Sequence, residues 1–128
     1  MVYHAPFEKG ILQELVDNFP GYWERIESMV ERIVDLNAPF SNFSCYHPDQ
    51  LGSASLKKVL PALTDLKYEG LEIAEGQTAG PEFMKSVSGD IPDEERQKIR
   101  ENLIAYCGLD TYGMVEIVRR LEQIVVDS

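Results

Sequence analysis

Apolar residues recur every three or four positions along the first third of the chain, with polar residues between them. This spacing is typical of amphipathic helices, which turn one apolar face toward a core. It predicts one helix from Pro6 to the turn "NFPG" and a second from about Tyr22 to Val34. Pro6 suits the first helical position, and Glu8 falls in the first turn, where a carboxylate favours the helix dipole. The apolar positions are Phe7, Ile11, Leu12, Leu15, Val16 and Phe19, then Ile26, Met29, Val30 and Ile33.

The C-terminal third predicts two further helices, from about Pro92 to Tyr106 and from about Asp110 to Val125. Gly108 is placed to end the first of them in a left-handed cap, so Tyr106 would close one helix and Asp110 would open the next. The predicted inward residues are Ile99, Leu103 and Ile104, then Met114, Ile117, Val118, Leu121, Ile124 and Val125.

The middle of the chain is rich in turn formers and carries two short helical patterns. Ser53 or Ser55 can cap the helix "SLKKVLPAL", which Pro61 ends or kinks. Another short helix is predicted in "QTAGPEFMKSV", beginning near Pro81. Only "MVYHA" has the character of a strand end, and "IVDLNAPF" could carry a short strand or an extended link. The pattern therefore predicts a single, mainly α domain over residues 1–128, with one or two short strands.

Composition is that of an ordinary globular protein, with 44% hydrophobic and 27% charged residues. No apolar run approaches the ~20 residues that a membrane span requires. The first residues lack a basic segment followed by an apolar one, as a secretory leader would have. The two cysteines, Cys45 and Cys107, form no metal-binding spacing and are expected to be reduced thiols. These features predict a soluble, cytoplasmic protein without a membrane partner.

The formal net charge of −10 argues against non-specific nucleic-acid binding, which depends on basic side chains. It does not exclude a metal-dependent nuclease, because bound cations make an acidic centre attractive to phosphate. Contact with a nucleic-acid backbone is an alternative for Lys57 and Lys58, but a solvated surface is the favoured interpretation of both basic clusters that interrupt the acidic background. They are Lys57, Lys58 and Lys67, and Arg96, Lys98 and Arg100.

Two short motifs carry a family resemblance. In "YCGLD", Tyr106 precedes Asp110 by four positions, and "VYHAPFEKGIL" places His4, Phe7 and Glu8 at the start of a helix. With "RIVDLNAPF", "GSASLKKVLPAL" and "LIAYCGLDTYGMVEI", these blocks resemble a bacterial family long described only as a domain of unknown function. That family is similar to the ribonuclease H-like 3′-to-5′ exonucleases of the DEDD superfamily, in the branch whose third motif carries tyrosine.

The resemblance implies an α/β, ribonuclease H-like parent fold, of which this chain is the C-terminal portion. It also implies a site with two divalent cations, Mg²⁺ or Mn²⁺, that hydrolyses the terminal phosphodiester of a nucleic acid. Glu8 and Asp110 would be metal ligands, and the hydroxyl of Tyr106 would orient the attacking water, which makes all three catalytic. Hard cations prefer such oxygen ligands, and two of them can stabilise the attacking and the leaving oxygen.

The first motif of the superfamily, Asp-x-Glu on a strand, has no counterpart before Glu8. The only Asp-x-Glu is Asp93-Glu94-Glu95, which follows Pro92 where acidic residues favour a helix start. We therefore expect the domain to lack that motif with its strands, to bind metal weakly and to be inactive in isolation. A fragment without its central strands would expose an apolar face and an open edge, so self-association is also expected.

Each residue also has a purely structural interpretation. Glu8 can favour the helix dipole, Asp110 can cap a helix, and Tyr106 can be a core aromatic with a hydrated hydroxyl. The chain would then be an acidic helical interaction module, or a degenerate nuclease retained as a scaffold. The remaining candidates have local interpretations. His4 is expected to make a hydrogen bond rather than act as a base, Asp35 to lie in a turn, and His47 to have too few partners for a zinc site. Tyr22 and Trp23 are expected in a core or at a helix start.

Overall fold

A computed structural model describes all 128 residues of the chain, of which about 70% are helical. The mainly α class predicted from the sequence is confirmed. Two short 3₁₀ turns lie at Pro20–Tyr22 and Pro48–Gln50. The α-helices are α1 (Ala5–Asn18), α2 (Trp23–Glu31), α3 (Ala38–Ser41), α4 (Leu56–Leu63), α5 (Gly76–Ser88) and α6 (Asp93–Val126).

The two predicted strand segments meet, but they make only one isolated parallel bridge, between Val2 and Asp35. The amide of Val2 donates to the carbonyl of Val34 at 2.9 Å, and the amide of Leu36 donates to the carbonyl of Val2 at 2.9 Å. Parallel segments need a long crossover connection, and α1 with α2 supplies it. The prediction of one or two short strands is therefore corrected to a single bridge, because neither segment has further neighbours in this chain.

The largest correction concerns the C-terminal third, where one helix of 34 residues replaces the predicted pair. Gly108 does not adopt the left-handed conformation expected of a cap; among glycines only Gly52 and Gly70 have positive φ. Gly costs about 1 kcal/mol in a helix interior, which the hydrogen bonds and side-chain contacts of a long helix can outweigh. The helix predicted to begin near Pro81 begins at Gly76 instead.

The core lies where α4 crosses α6 and the segment around α3 closes over them. Leu60 and Ile117 are fully buried, and a methyl carbon of Leu60 lies 2.8 Å from the position that a Cβ on Gly113 would occupy. Gly113 thus permits the close approach of the two helices. The buried cluster consists of Leu36, Phe40, Val59, Leu60, Tyr68 and Ile117.

Much apolar surface lies outside this core. A globular protein of 14.5 kDa exposes about 6,900 Å² by the usual relation of surface to mass. This chain exposes 8927 Å², about 2,000 Å² more. Several predicted inward residues contribute to the excess, which makes their prediction as core wrong. They are Phe7, Ile11 and Leu15 on α1, Phe19 directly after α1, Met29 on α2, and Ile104, Ile124 and Val125 on α6.

Candidate functional site

Tyr106 and Asp110 lie on one continuous stretch of α6. Residues four positions apart share a helix face, so the two side chains project toward the same neighbours. Neither residue ends or begins a helix, and the expected break between them is wrong. The helical spacing alone brings the two together, without the junction that the sequence suggested.

Tyr68, which follows α4, completes this cluster. Its hydroxyl donates to Oδ1 of Asp110 at 2.5 Å, and its ring centroid lies 6.3 Å from that of Tyr106 at an interplanar angle of 50°. Charge-assisted hydrogen bonds between a hydroxyl and a carboxylate are characteristically this short. We name Tyr68, Tyr106 and Asp110 the tyrosine–aspartate cluster. Sequence reasoning missed Tyr68, because nothing in "TDLKYEGLEI" signals a partner 42 residues away.

Both phenols of the cluster hold their protons more firmly than a free tyrosine does. Burial, and then the hydrogen bond to Asp110 and its negative charge, raise the pKa of Tyr68 above its ordinary value. Burial, followed by the charge of Asp110, also raises the pKa of Tyr106. At neutral pH both side chains are therefore hydroxyl donors rather than phenolate bases.

The start of α5 approaches the cluster from another side. The hydroxyl oxygen of Tyr106 lies 3.6 Å from where a Cβ on Gly76 would stand. Glu75, the residue before α5, has its Oε1 3.8 Å from Nζ of Lys57 on α4. The loop before α5 thereby connects the phenol of Tyr106 with the basic residues of α4.

One of the two basic clusters lines a groove beside Tyr68, with a volume of about 370 Å³. The lysines come from α4 and from the segment that follows it, which places three ammonium groups around one cavity. Asp49 and Glu69 also line the groove, and Glu75 pairs with Lys57, so three carboxylates lie near the three lysines. The lining residues are Lys57, Lys58, Lys67, Tyr68, Pro61, Ala62, Asp49 and Glu69.

Glu8 lies apart from the tyrosine–aspartate cluster. It is half-buried on α1 and lines a groove together with Met1, Val2, Met29 and other residues of α1 and α2. Its carboxylate makes no hydrogen bond or ion pair with Tyr106, Asp110 or any other side chain. The structure therefore joins two of the three predicted site residues by contact, and leaves Glu8 without a partner.

Asp35 has a structural role that the sequence indicated only as a turn. Its carboxylate accepts hydrogen bonds at 2.9 Å from the backbone amides of His4, Ala5 and Asn37. It thus satisfies free amides at the start of α1, as an N-cap residue does. Burial opposes the charged form, but the three amide donors outweigh it and hold the pKa of Asp35 below its ordinary value.

The remaining candidates are local features of the fold. The imidazole of His4 makes no hydrogen bond, and that of His47 accepts from the amide of Asp49 at the start of a 3₁₀ turn. Tyr22 and Trp23 lie at the start of α2 and are exposed, so they are not core residues. Asp93-Glu94-Glu95 occupies the first turn of α6, as predicted for a helix start.

The side chains available as ligands decide whether this chain can bind a metal ion. No three His, Cys, Asp or Glu side chains converge closely enough to hold a metal ion. Asp110 already shares Oδ1 with the hydroxyl of Tyr68, and Glu8 belongs to another groove. These residues do not by themselves fit the two-metal site that the motifs imply, which requires more oxygen ligands than this chain assembles.

No helix combines the length and apolar character needed to cross a bilayer. A family model described as a domain of unknown function, DUF2779, matches residues 1–55. The expected resemblance to a family of unknown function is thereby confirmed for this segment, which runs from Met1 through α3 and contains Glu8. Tyr106 and Asp110 lie outside it. No curated protein and no solved structure matches the chain.

Proposed function

We propose that this chain carries the tyrosine–aspartate part of an exonuclease-like site, which acts on the phosphodiester backbone of nucleic acid. The observation that supports it best is the side-by-side position of Tyr106 and Asp110 on α6, with Tyr68 fixing the carboxylate. The order of the sequence motifs supplies the reaction class, and the cluster supplies groups suited to it.

The chemistry of the cluster fits a positioning role. Tyr106 is protonated at neutral pH, as a tyrosine with the ordinary pKa of 10.0 would be, and burial and the charge of Asp110 raise its pKa further. It therefore offers a hydroxyl that can orient a water molecule or a phosphate oxygen, and it cannot act as a base. Tyr68 restrains Asp110 by donating its hydroxyl to Oδ1 of the carboxylate.

The lysine-lined groove supports the substrate class. Lys57, Lys58 and Lys67 surround one cavity next to Tyr68, although the chain as a whole carries a net charge of −10. Phosphate contacts from lysine side chains supply most of the affinity of non-specific nucleic-acid binding. Tyr68 joins the two features, because it lines the groove and also binds Asp110.

The parent fold is part of the proposal. The parallel bridge between Val2 and Asp35, with α1 and α2 as its crossover, supports an α/β, ribonuclease H-like domain completed by other polypeptide. Glu8 and Asp110 would then contribute two ligands for Mg²⁺ or Mn²⁺, and further carboxylates would come from outside residues 1–128. The chain alone is accordingly proposed to be inactive and to bind metal weakly.

The test uses fluorescently labelled single-stranded DNA and RNA of about 12 nucleotides, a length typical of such binding sites. We expect measurable affinity at low salt that falls as salt rises, with a logarithmic slope near −2 if three lysines contact phosphates. Two triple variants of equal charge are compared. The first carries Lys57→Gln, Lys58→Gln and Lys67→Gln in the groove, and the second carries Lys9→Gln, Lys85→Gln and Lys98→Gln outside it. Equal losses in the two triple variants, or no binding by the unaltered chain, would reject the proposal.

Activity is tested separately with end-labelled strands and Mn²⁺. We expect no trimming by the chain alone. Robust trimming that Asp110→Ala abolishes would overturn the proposed inactivity while keeping the site assignment. Trimming by a preparation free of contaminating nuclease that survives Asp110→Ala would reject both the proposed inactivity and the assignment of Asp110 to the site.

A second candidate function is an acidic helical interaction module without catalysis. The excess of about 2,000 Å² in exposed surface favours it. In this case Glu8, Tyr106 and Asp110 serve only packing and helix stability, and oligonucleotides do not bind the lysine-lined groove. The predicted self-association of the chain would arise from the same exposed apolar surface.

A further inference from the structure

The bridge between Val2 and Asp35 is open on both of its outer edges. Val2 uses its own amide and carbonyl to pair with Val34 and Leu36. In a parallel ladder the neighbouring residues point their backbone groups the other way. The amides of Tyr3 and Asp35 accordingly donate to no group in the chain, although both residues are half-buried. Each of these two edges therefore keeps a backbone donor that a neighbouring strand could use.

Apolar grooves flank the bridge. Met1 and Val2 line one of about 410 Å³ with α1 and α2, and Met1 with Leu36 lines another of about 630 Å³ with α6. Apart from the charged Glu8 and Arg32 in the first groove and Glu122 in the second, the lining is apolar. It consists of Ile11, Leu12, Met29 and Ile33 in the first groove, and of Val118, Leu121, Val125 and Val126 in the second. Two apolar grooves therefore meet at Met1, beside a backbone edge with free donors.

The size of the uncovered surface fits a substantial partner. The chain exposes about 2,000 Å² more than a globular protein of its mass. A standard protein interface buries about 800 Å² on each partner, and obligate interfaces bury more. The excess belongs to the whole chain, and part of it lies at these two grooves, which contain the exposed side chains of Met1, Ile11, Met29, Val125 and Val126.

We propose that this surface binds an extended β-strand segment with apolar side chains on both faces, supplied by polypeptide outside residues 1–128. Free amides at the edges require carbonyl acceptors presented by an extended chain, since a helix uses its own carbonyls internally. Successive strand side chains point to opposite faces, so grooves on both flanks select apolar residues at every position. This inference rests on the proposed parent fold, but it does not depend on any catalytic role and is tested without nucleic acid.

A second copy of the chain is a poorer occupant. It would bring together two molecules that each carry a net charge of −10. It would also offer only another bridge as short as the first one. Self-association is the behaviour we expect when no strand is present, and a bound strand should suppress it.

The experiment uses a labelled peptide whose central Val-Tyr-Val-Ile-Val-Tyr is flanked by two lysines at each end for solubility. Binding to the full chain is measured by fluorescence anisotropy, and amide exchange by NMR. We expect a 1:1 complex, with the amides of Tyr3 or Asp35 becoming protected from exchange. The matched peptide, N-methylated at alternate residues, has the same charge and side chains but cannot pair along one edge. We expect it to bind at least tenfold more weakly.

Variants locate the site. Ile11→Glu and Val125→Glu each place a charge in one groove at an already exposed position, so folding is retained, as circular dichroism would verify. Each should weaken peptide binding at least tenfold, whereas Val87→Glu on α5, equally exposed but outside both grooves, should change it less than twofold. The proposal is overturned by equal binding of the N-methylated peptide, by equal losses in all three variants, or by a dimer that persists at saturating peptide.

Discussion

Tyr68 and Asp110 are joined by a hydrogen bond of 2.5 Å although 42 residues separate them in the chain. The bond connects the segment after α4 to the middle of α6, beside the buried contact of Leu60 with α6. Because Tyr68 is buried and Asp110 is half-buried, water can replace this bond only in part. The same bond therefore contributes to stability and fixes the orientation of the carboxylate.

Replacing Tyr68 with Phe should lower the free energy of unfolding by about 2 kcal/mol, because a half-buried carboxylate loses its donor. The measurement is urea unfolding followed by circular dichroism. Tyr112→Phe is the matched control, since Tyr112 lies exposed on α6 and makes no side-chain hydrogen bond. In a double-mutant cycle with Asp110→Asn, the coupling energy should be about 1 kcal/mol or more. A coupling near zero would show that the bond does not stabilise the fold.

Three tyrosines are expected to make the fold sensitive to alkali. Burial is the main cause that raises the pKa of Tyr3 to about 12 and the pKa values of Tyr68 and Tyr106 above their ordinary value of 10.0. The stability due to these raised values is fully present below pH 10.0 and declines as the pH rises above it. Absorbance titration should show these phenols ionising together with unfolding. In Tyr68→Phe the decline of stability with rising pH should be shallower. An unchanged dependence of stability on pH in alkali would contradict the expectation.

Asp35 should make the stability of the fold depend on pH in the acidic range. Its pKa is lowered from 3.8 in the folded chain, so the stability it contributes is present above that value and is lost as pH falls through the folded pKa. Asp35→Asn keeps one acceptor oxygen and loses the charge, which should cost about 1 kcal/mol at pH 7 by analogy with helix caps. This deficit should shrink as the pH falls below 3.8, because the unfolded chain then takes up a proton at Asp35 before the folded chain does. Asp17→Asn, on the exposed side of α1, is the control and should show neither effect.

Local chain chemistry predicted the parts of the fold that depend on neighbouring residues. Pro6 and Glu8 indicated the start of α1, and the acidic triplet after Pro92 indicated the start of α6. The four-residue spacing of Tyr106 and Asp110 was enough to place them together, even though the junction predicted between them is wrong.

What the sequence could not predict are relationships between distant segments. The partnership of Tyr68 with Asp110 depends on where α4 meets α6. Two of the three amides bound by Asp35, those of His4 and Ala5, lie 31 and 30 residues before it in the chain. Periodicity also predicted that Phe7 and Ile11 face a core, because an amphipathic pattern marks an apolar face without stating what covers it. In this chain that face is exposed.

Gly113 and Gly108 lie on the same helix, α6, and replacing each with alanine should change the stability of the fold in opposite directions. A Cβ on Gly113 would come within 2.8 Å of a methyl carbon of Leu60, which is fully buried and cannot move aside easily, whereas a Cβ on Gly108 would meet nothing within 4 Å. Gly108→Ala should therefore stabilise the chain by about 0.5–1 kcal/mol through helix propensity alone. Gly113→Ala gains the same propensity but crowds the α4–α6 contact, and should destabilise by about 1 kcal/mol overall.

Urea unfolding of the two alanine variants measures both effects. A destabilising Gly108→Ala would indicate that α6 breaks at this glycine, as the sequence pattern suggested, because an alanine is disfavoured in a left-handed cap. A stabilising Gly113→Ala would instead indicate that α4 and α6 stand further apart than the structure has them. Circular dichroism of the folded variants adds a check on the long helix, since Gly108→Ala should keep the helical signal unchanged while raising the denaturation midpoint.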